Sequence, residues 1–244
     1  MGQTASLPAL ESARLEAPEG LGSPVYDRGM SPGSDVTTFI LAGGKSTRMG
    51  TDKAFVQLDG RTLLARALEV AGSVTTEVRI VGDRIKFAAF GPVVEDIFPG
   101  CGPLGGIHAA LRASKTDLNL MLAVDLPFVT AGLLRFLVDR ARDSAGSIAI
   151  VPRTGQRWQP LCAIYRREFA ELAEIALHAG RYKIDSLFAE GQTRAISEDE
   201  LRGAGFLPGE FRNVNTPEDL AQARGMDNES PETAVRFPEK KEAP

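Results

Sequence analysis

The run Thr37-Thr38-Phe39-Ile40-Leu41-Ala42-Gly43-Gly44 is a short apolar strand that ends on paired glycines. An apolar strand bounded by a glycine turn is an ordinary start for an α/β unit. Two glycines directly after a strand let the backbone turn tightly and approach a ligand closely. Main-chain N–H groups in such a turn can bind an anion or edge a base. Lys45, Arg48 and Lys53 then place three cations within nine residues. Glycine amides with clustered cations are the complement of a polyphosphate. A solvated tight turn is the plain alternative for the glycines alone, since glycine is routine in turns.

Outward from this loop the chain alternates strands and helices. Val78 to Val81, Val93-Val94, Leu118 to Val124, Ile148 to Val151 and Leu161 to Tyr165 read as strands. Leu118 to Val124 is almost wholly apolar, as a central strand covered on both faces should be. Thr62 to Ala71, Leu104 to Ala113, Leu133 to Ala141, Arg167 to Leu177 and Pro217 to Arg224 carry helical spacing. Pro103 suits the first turn of the second of these. The alternation predicts a three-layer, doubly wound, mostly parallel α/β sheet. Ligands in such sheets gather beyond the carboxyl ends of the strands. There the glycine loop follows the first strand, Asp83 the second, Asp96 the third and Asp125 the fourth.

The 244 residues suit one substantial domain, read as 36–225. Residues 1–35, rich in Gly, Pro, Ser and Ala, and 226–244, with alternating charges and three prolines, read as disordered tails. A net charge of −4 with no Lys/Arg-dense segment argues against a nucleic-acid partner. Two distant cysteines and two histidines give neither a redox pair nor a zinc set. No apolar run approaches the ~20 residues of a membrane span, and no secretory signal opens the chain. A soluble, cytoplasmic protein without a membrane partner is expected.

Two rival motifs are tested by spacing. Gly44-Lys45-Ser46 ends like a P-loop, but the first glycine of that motif would fall on Phe39, so the match fails. Gly100-Cys101-Gly102-Pro103-Leu104-Gly105 satisfies the dinucleotide pattern G-x-G-x-x-G, with Asp125 about 20 residues on. Glu95 to Pro99, however, separate it from the strand that should run into its turn.

The string Leu41-Ala42-Gly43-Gly44-Lys45-Ser46-Thr47-Arg48-Met49-Gly50-Thr51-Asp52-Lys53 resembles the signature of the molybdenum cofactor guanylyltransferases, within the nucleotidyltransferase superfamily. Four more segments agree in order: Gly102-Pro103-Leu104-Gly105-Gly106, Val124-Asp125-Leu126-Pro127, Gln159-Pro160-Leu161 and Asn213-Val214-Asn215-Thr216-Pro217-Glu218-Asp219. Together they span residues 37 to about 224. The loop and the Asp125 segment are shared with related nucleotidyltransferases, whereas the last two segments point to the molybdenum cofactor branch. The resemblance implies a Rossmann-like nucleotidyltransferase fold. It also implies that the terminal phosphate of molybdopterin, or of its molybdenum-loaded form, attacks the α-phosphate of GTP, with Mg2+ required and pyrophosphate leaving. Proteins of molybdenum-cofactor biosynthesis and molybdoenzyme chaperones are implied as further partners.

Such a displacement needs positioning and charge neutralisation more than a strong base. Asp125 is the candidate Mg2+ ligand, with a helix N-cap as the competing role. Lys53 is expected at the α-phosphate and Arg48 at the outer phosphates. Leu41, Ala42 and Gly43 are expected to meet guanine and ribose through main-chain groups. Asp83 and Asp96 match nucleotide-contacting positions, although the family often has Asn where Asp83 stands. Gln159, Arg181, Lys183, Asn213 and Asn215 are candidates for the acceptor side. A cytidylyltransferase of the same fold, acting on molybdopterin or on a sugar or polyol phosphate, is the alternative enzyme. A nucleotide-binding module without catalysis is the alternative of another class, and keeping both Lys53 and Asp125 argues against it.

Overall fold

The structure, a computed structural model, describes residues 33–43 and 52–226. The strands are β1 (Gly33–Leu41), β2 (Gln57–Leu58), β3 (Arg61–Thr62), β4 (Thr75–Val81), β5 (Val93–Val94), β6 (Leu118–Ala123), β7 (Ala149–Thr154), β8 (Arg157–Trp158), β9 (Cys162–Arg166) and β10 (Thr193–Ile196). The helices are α1 (Leu63–Gly72), α2 (Arg84–Phe87), α3 (Pro103–Ala113), α4 (Ala131–Arg142), α5 (Phe169–His178), α6 (Glu198–Gly203) and α7 (Pro217–Met226). Short 3-10 turns lie at Lys53–Phe55, Ile184–Leu187 and Pro208–Phe211.

One eight-stranded sheet runs β10-β7-β9-β6-β1-β4-β5, with β8 as a hairpin partner of β7. β1 pairs in parallel with β4 and β6, and β10 with β7. β9 lies antiparallel to both β6 and β7. The expected mostly parallel, doubly wound α/β sheet is therefore present, with a reversed strand at its centre. The carboxyl ends of β1, β4, β5, β6 and β7 share one edge of the sheet, and β9 brings its first residues to that edge.

Alternation along β1 builds the two faces. Ile40 enters the apolar layer with Leu63 and Leu64 of α1 and Leu133 and Leu137 of α4. Phe39 enters the opposite layer with Leu104 and Ile107 of α3 and Phe169 and Ala173 of α5. Leu120 and Leu122 of β6 join the first layer and Met121 the second. Asn119, fully buried in this strand, donates its amide to the carbonyls of Asp117 and Tyr165 at 2.9 and 3.2 Å. The buried hydroxyls of Thr38 and Thr75 bond at 2.8 Å.

β1 starts at Gly33, inside the segment 1–35 expected as a tail. A register shift between Gly33 and Thr37 lets the strand continue, and the Asp35 carboxylate is paired with Arg142 at 2.7 Å. That pair holds the Asp35 carboxyl below its usual range. The remainder of both tails, 1–32 and 227–244, lies outside the described residues.

Candidate active site

Two groups of residues line the carboxyl edge. The first is a cleft of about 360 Å3 beyond β1, β4 and β5. Its walls include Ala42, Gly43, Gly82, Phe87 and four carboxylates, Asp52, Asp83, Glu95 and Asp96, with Lys86 as a cation. Ala42 and Gly43 both donate their N–H groups to the Val81 carbonyl, at 3.0 and 3.1 Å. Those two amides are spent within the sheet, and Gly44, the other glycine of the turn, lies outside the described residues. The Leu41 carbonyl accepts from Val124 N–H at 3.2 Å, and its side chain packs against the second apolar layer.

Gly82 packs more tightly than Gly43 against the protein itself. A Cβ on Gly43 would have its nearest contacts at an ordinary 3.8 Å, whereas one on Gly82 would meet the Phe87 ring at 2.8 Å. Asp83 caps α2, its Oδ1 accepting from Ile85 and Lys86 N–H at 2.8 and 3.3 Å. Asp96 stands at the cleft with Oδ1 3.5 Å from where a Gly106 Cβ would lie, and loss of solvent there raises its carboxyl above the ordinary range.

The second group joins three distant segments. Lys53 Nζ donates to Asp125 Oδ2 at 3.2 Å and also to Asn215 Oδ1. Asp52 caps the turn that carries Lys53, its Oδ1 accepting from Ala54 N–H at 3.2 Å. Val214 is fully buried and donates its N–H to the Asp125 carbonyl at 2.9 Å, drawing the Asn213–Asn215 segment against β6. Asp125 does not cap a helix. That role falls to Thr130, whose hydroxyl accepts from Leu133 N–H at 3.2 Å. Nor is Asn215 consumed as a cap, because Thr216 and Asp219 cap α7 reciprocally.

Asp125 Oδ1 is buried and has no hydrogen-bond partner among the described residues. An orphaned carboxylate oxygen at a strand end suits one cation. No cluster of three or more His, Cys, Asp or Glu fit to hold a metal occurs among the described residues. A single carboxylate completed by phosphate oxygens and waters is an ordinary Mg2+ shell, so these residues fit that ion.

The acceptor-side candidates are not gathered onto this group. Gln159 Nε2 donates to Thr154 Oγ1 at 2.7 Å across the β7–β8 hairpin. Leu161, two residues on, accepts from Ala123 N–H at 2.8 Å and so abuts the end of β6. Arg181 and Lys183 are exposed in the turn after α5, and Asn213 is exposed beside Val214. Trp158 packs on Phe188 at 5.0 Å with the Arg153 guanidinium 5.4 Å over its ring. Arg48, like Lys45, lies outside the described residues. Asp52, Glu95 and Lys86 were not singled out in the sequence; Asp52 stood inside the quoted loop, but Lys86 carries no local signal. The G-x-G-x-x-G run is turn and packing. Gly100 and Gly102 have φ of 82° and 68°, and a Cβ on Gly105 would meet the Phe98 carbonyl at 2.9 Å.

Residues 38–195 match the family described as MobA-like NTP transferase domain, more than half of the chain. A probable molybdenum cofactor guanylyltransferase of Pelotomaculum thermopropionicum is 36% identical over 78% of this chain and 92% of its own length. The chain belongs to the molybdenum cofactor guanylyltransferase family. A molybdenum cofactor guanylyltransferase of Desulfosudis oleivorans is 35% identical over 77% of this chain and 94% of its own length. Among solved structures, molybdopterin-guanine dinucleotide biosynthesis protein A of Archaeoglobus fulgidus superposes with a TM-score of 0.69 at 28% identity, covering 78% of this chain and 98% of that one. A 4-diphosphocytidyl-2C-methyl-D-erythritol synthase of Anaerococcus prevotii shares the fold at a TM-score of 0.58 and 14% identity, covering 79% of this chain and 96% of that one. The nucleotidyltransferase fold expected from the motifs is the fold observed.

Proposed function

We propose that this chain transfers GMP from GTP to the terminal phosphate of molybdopterin, releasing pyrophosphate and forming the guanine dinucleotide form of the cofactor. The observation that carries the reading is the convergence of Lys53, Asp125 and Asn215 beside a nucleoside-sized cleft. A triphosphate is repelled by four carboxylates, so the cleft takes the base and ribose while the phosphates run toward Lys53. A cleft walled by carboxylates and main-chain carbonyls, with the Ala42 and Gly43 amides already spent, suits a base that offers hydrogens. Guanine presents two adjacent donors on one edge and cytosine one, which favours GTP over CTP.

The acceptor phosphate is already ionised and needs no base from the protein. Lys53 stabilises charge developing at the α-phosphate, where such contacts lower a barrier by about 3–4 kcal/mol. Asn215 holds the Lys53 ammonium in place through its amide oxygen. Asp125 would hold Mg2+, which when bound neutralises phosphate oxygens. The edge formed by Gln159, Leu161 and the β7–β8 hairpin is the side left for the anionic acceptor. No helix among the described residues is long and apolar enough to cross a membrane, and the free thiols Cys101 and Cys162 accord with a reducing cytoplasmic setting. Pyrophosphate release with Mg2+, molybdopterin and each of GTP, CTP, ATP and UTP tests the proposal. Turnover confined to GTP is expected, and preference for CTP or turnover with none would overturn it.

A further inference from the structure

Asp52 sits in an awkward place. It directly precedes Lys53 and faces the cleft that also holds Asp83, Glu95 and Asp96, so a nucleoside triphosphate arriving there meets a wall of negative charge. Its backbone-capping duty to Ala54 occupies only Oδ1. Oδ2 accepts from Lys86 Nζ at 2.9 Å, across from α2. The same α2 is capped by Asp83, whose Oδ1 accepts from the main-chain N–H of Lys86 itself. Beside the ion pair, Phe55 stacks on Phe87 at 5.9 Å and meets Phe90 in a tilted contact at 5.7 Å. The turn that carries Lys53 is thus tied to α2 by one charged and one aromatic contact.

Resting on the reading of this cleft as the nucleotide site, we propose that Lys86 is a positioning residue for nucleotide binding. By neutralising Asp52 it removes a carboxylate that would repel the incoming phosphates. Lys86 acts on the nucleotide through Asp52 and not by direct contact. The pairing is strong enough to raise the Lys86 ammonium above its usual range. Lys86 is half exposed, and exposed ion pairs contribute little to folding, so the consequence falls on binding and hardly on stability.

GTP affinity measured with Mg2+ on the full chain tests this without needing an acceptor. Lys86→Gln is expected to raise the Kd for GTP about tenfold, the cost of exposing a like charge to the ligand, with the melting temperature within about 2 °C of the parent. Lys86→Arg, which keeps the charge, stays near the parent. The deciding variant is Asp52→Asn with Lys86→Gln: the asparagine retains an Oδ1 to cap Ala54 while losing the charge. Its Kd is expected within about twofold of the parent, since both halves of the pair are removed together. An unchanged Kd in Lys86→Gln overturns the proposal. So does a double variant as weak as Lys86→Gln alone, which would place Lys86 on the nucleotide itself. A parent protein that binds GTP yet transfers nothing to molybdopterin would sink the proposed reaction and leave Lys86 to be judged on the Kd values. A parent that binds no GTP sinks both.

Discussion

Lys53 and Asp125 stand 3.2 Å apart although 72 positions separate them in the chain. The lysine leaves the turn at the end of the glycine loop, and the aspartate lies two residues past the end of β6. Their meeting marks the point where a phosphate chain leaving the cleft would first find a fixed cation and a carboxylate with a buried, unsatisfied oxygen.

Replacing Asp125 with Ala should abolish pyrophosphate release while the protein stays folded. Lys53 keeps Asn215 as a partner and is a quarter exposed, so no buried charge is stranded. Rates at saturating GTP and Mg2+, beside a melting curve, check this. A variant retaining turnover would remove Asp125 from the metal role.

Asn215→Ala should lower kcat by about tenfold to a hundredfold, a smaller loss than Lys53→Met, because it removes one partner of the ammonium instead of the ammonium itself. The cap on α7 uses Thr216 and Asp219 and is untouched. A double-mutant cycle between Lys53 and Asn215 should be strongly non-additive. Additive losses would mean that the two act separately.

Asp96 gives a pH signature. Its folded-state carboxyl is raised by loss of solvent, so in the window between the ordinary and the raised value the folded protein binds more protons than the unfolded chain. Stability therefore falls as pH rises through that window. Asp96→Asn should melt higher than the parent at neutral pH, and the advantage should vanish in acid. GTP binding should weaken in the variant and, in the parent, as Asp96 protonates. Melting curves and GTP titrations at a series of pH values test both; a variant no more stable at neutral pH contradicts the sign.

Two glycines separate packing from conformation. Gly43→Ala should leave folding stability within about 0.5 kcal/mol, because its Cβ would find ordinary contacts. Gly105→Ala should destabilise by about 1–3 kcal/mol, because its Cβ would press on the Phe98 carbonyl, and backbone yields less readily than a side chain. Urea unfolding of the two variants would reveal the contrast.

Much of this molecule was legible in its residues. Apolar runs fixed where β1, β4 and β6 lie, and Thr62 and Pro103 marked helix starts. Lys53, Asp125 and Asn215 all stood in recognisable segments. The reversal of β9 was not legible, since a strand's periodicity carries no direction. β10 was passed over because Thr193-Arg194-Ala195-Ile196 is short and half polar, yet Ser197 and Glu200 after it form the S-x-x-E start of α6, with Ser197 Oγ accepting from Glu200 N–H at 3.2 Å. Asp59-Gly60 likewise announced the β2–β3 hairpin, with φ of 50° and 75°. The Asp52–Lys86 pair joins residues 34 positions apart through tertiary structure alone, so no local pattern could predict it.

The 162 positions between Lys53 and Asn215, together with the Val214 strap on Asp125, set an order of events in the living cell. A ribosome delivers the glycine loop well before the strap. A half-made chain can close its central strands while its ammonium still lacks the amide that steadies it. Competence thus arrives only with Val214 and Asn215, and a fragment released before them would carry the signature loop without the amide that steadies its lysine.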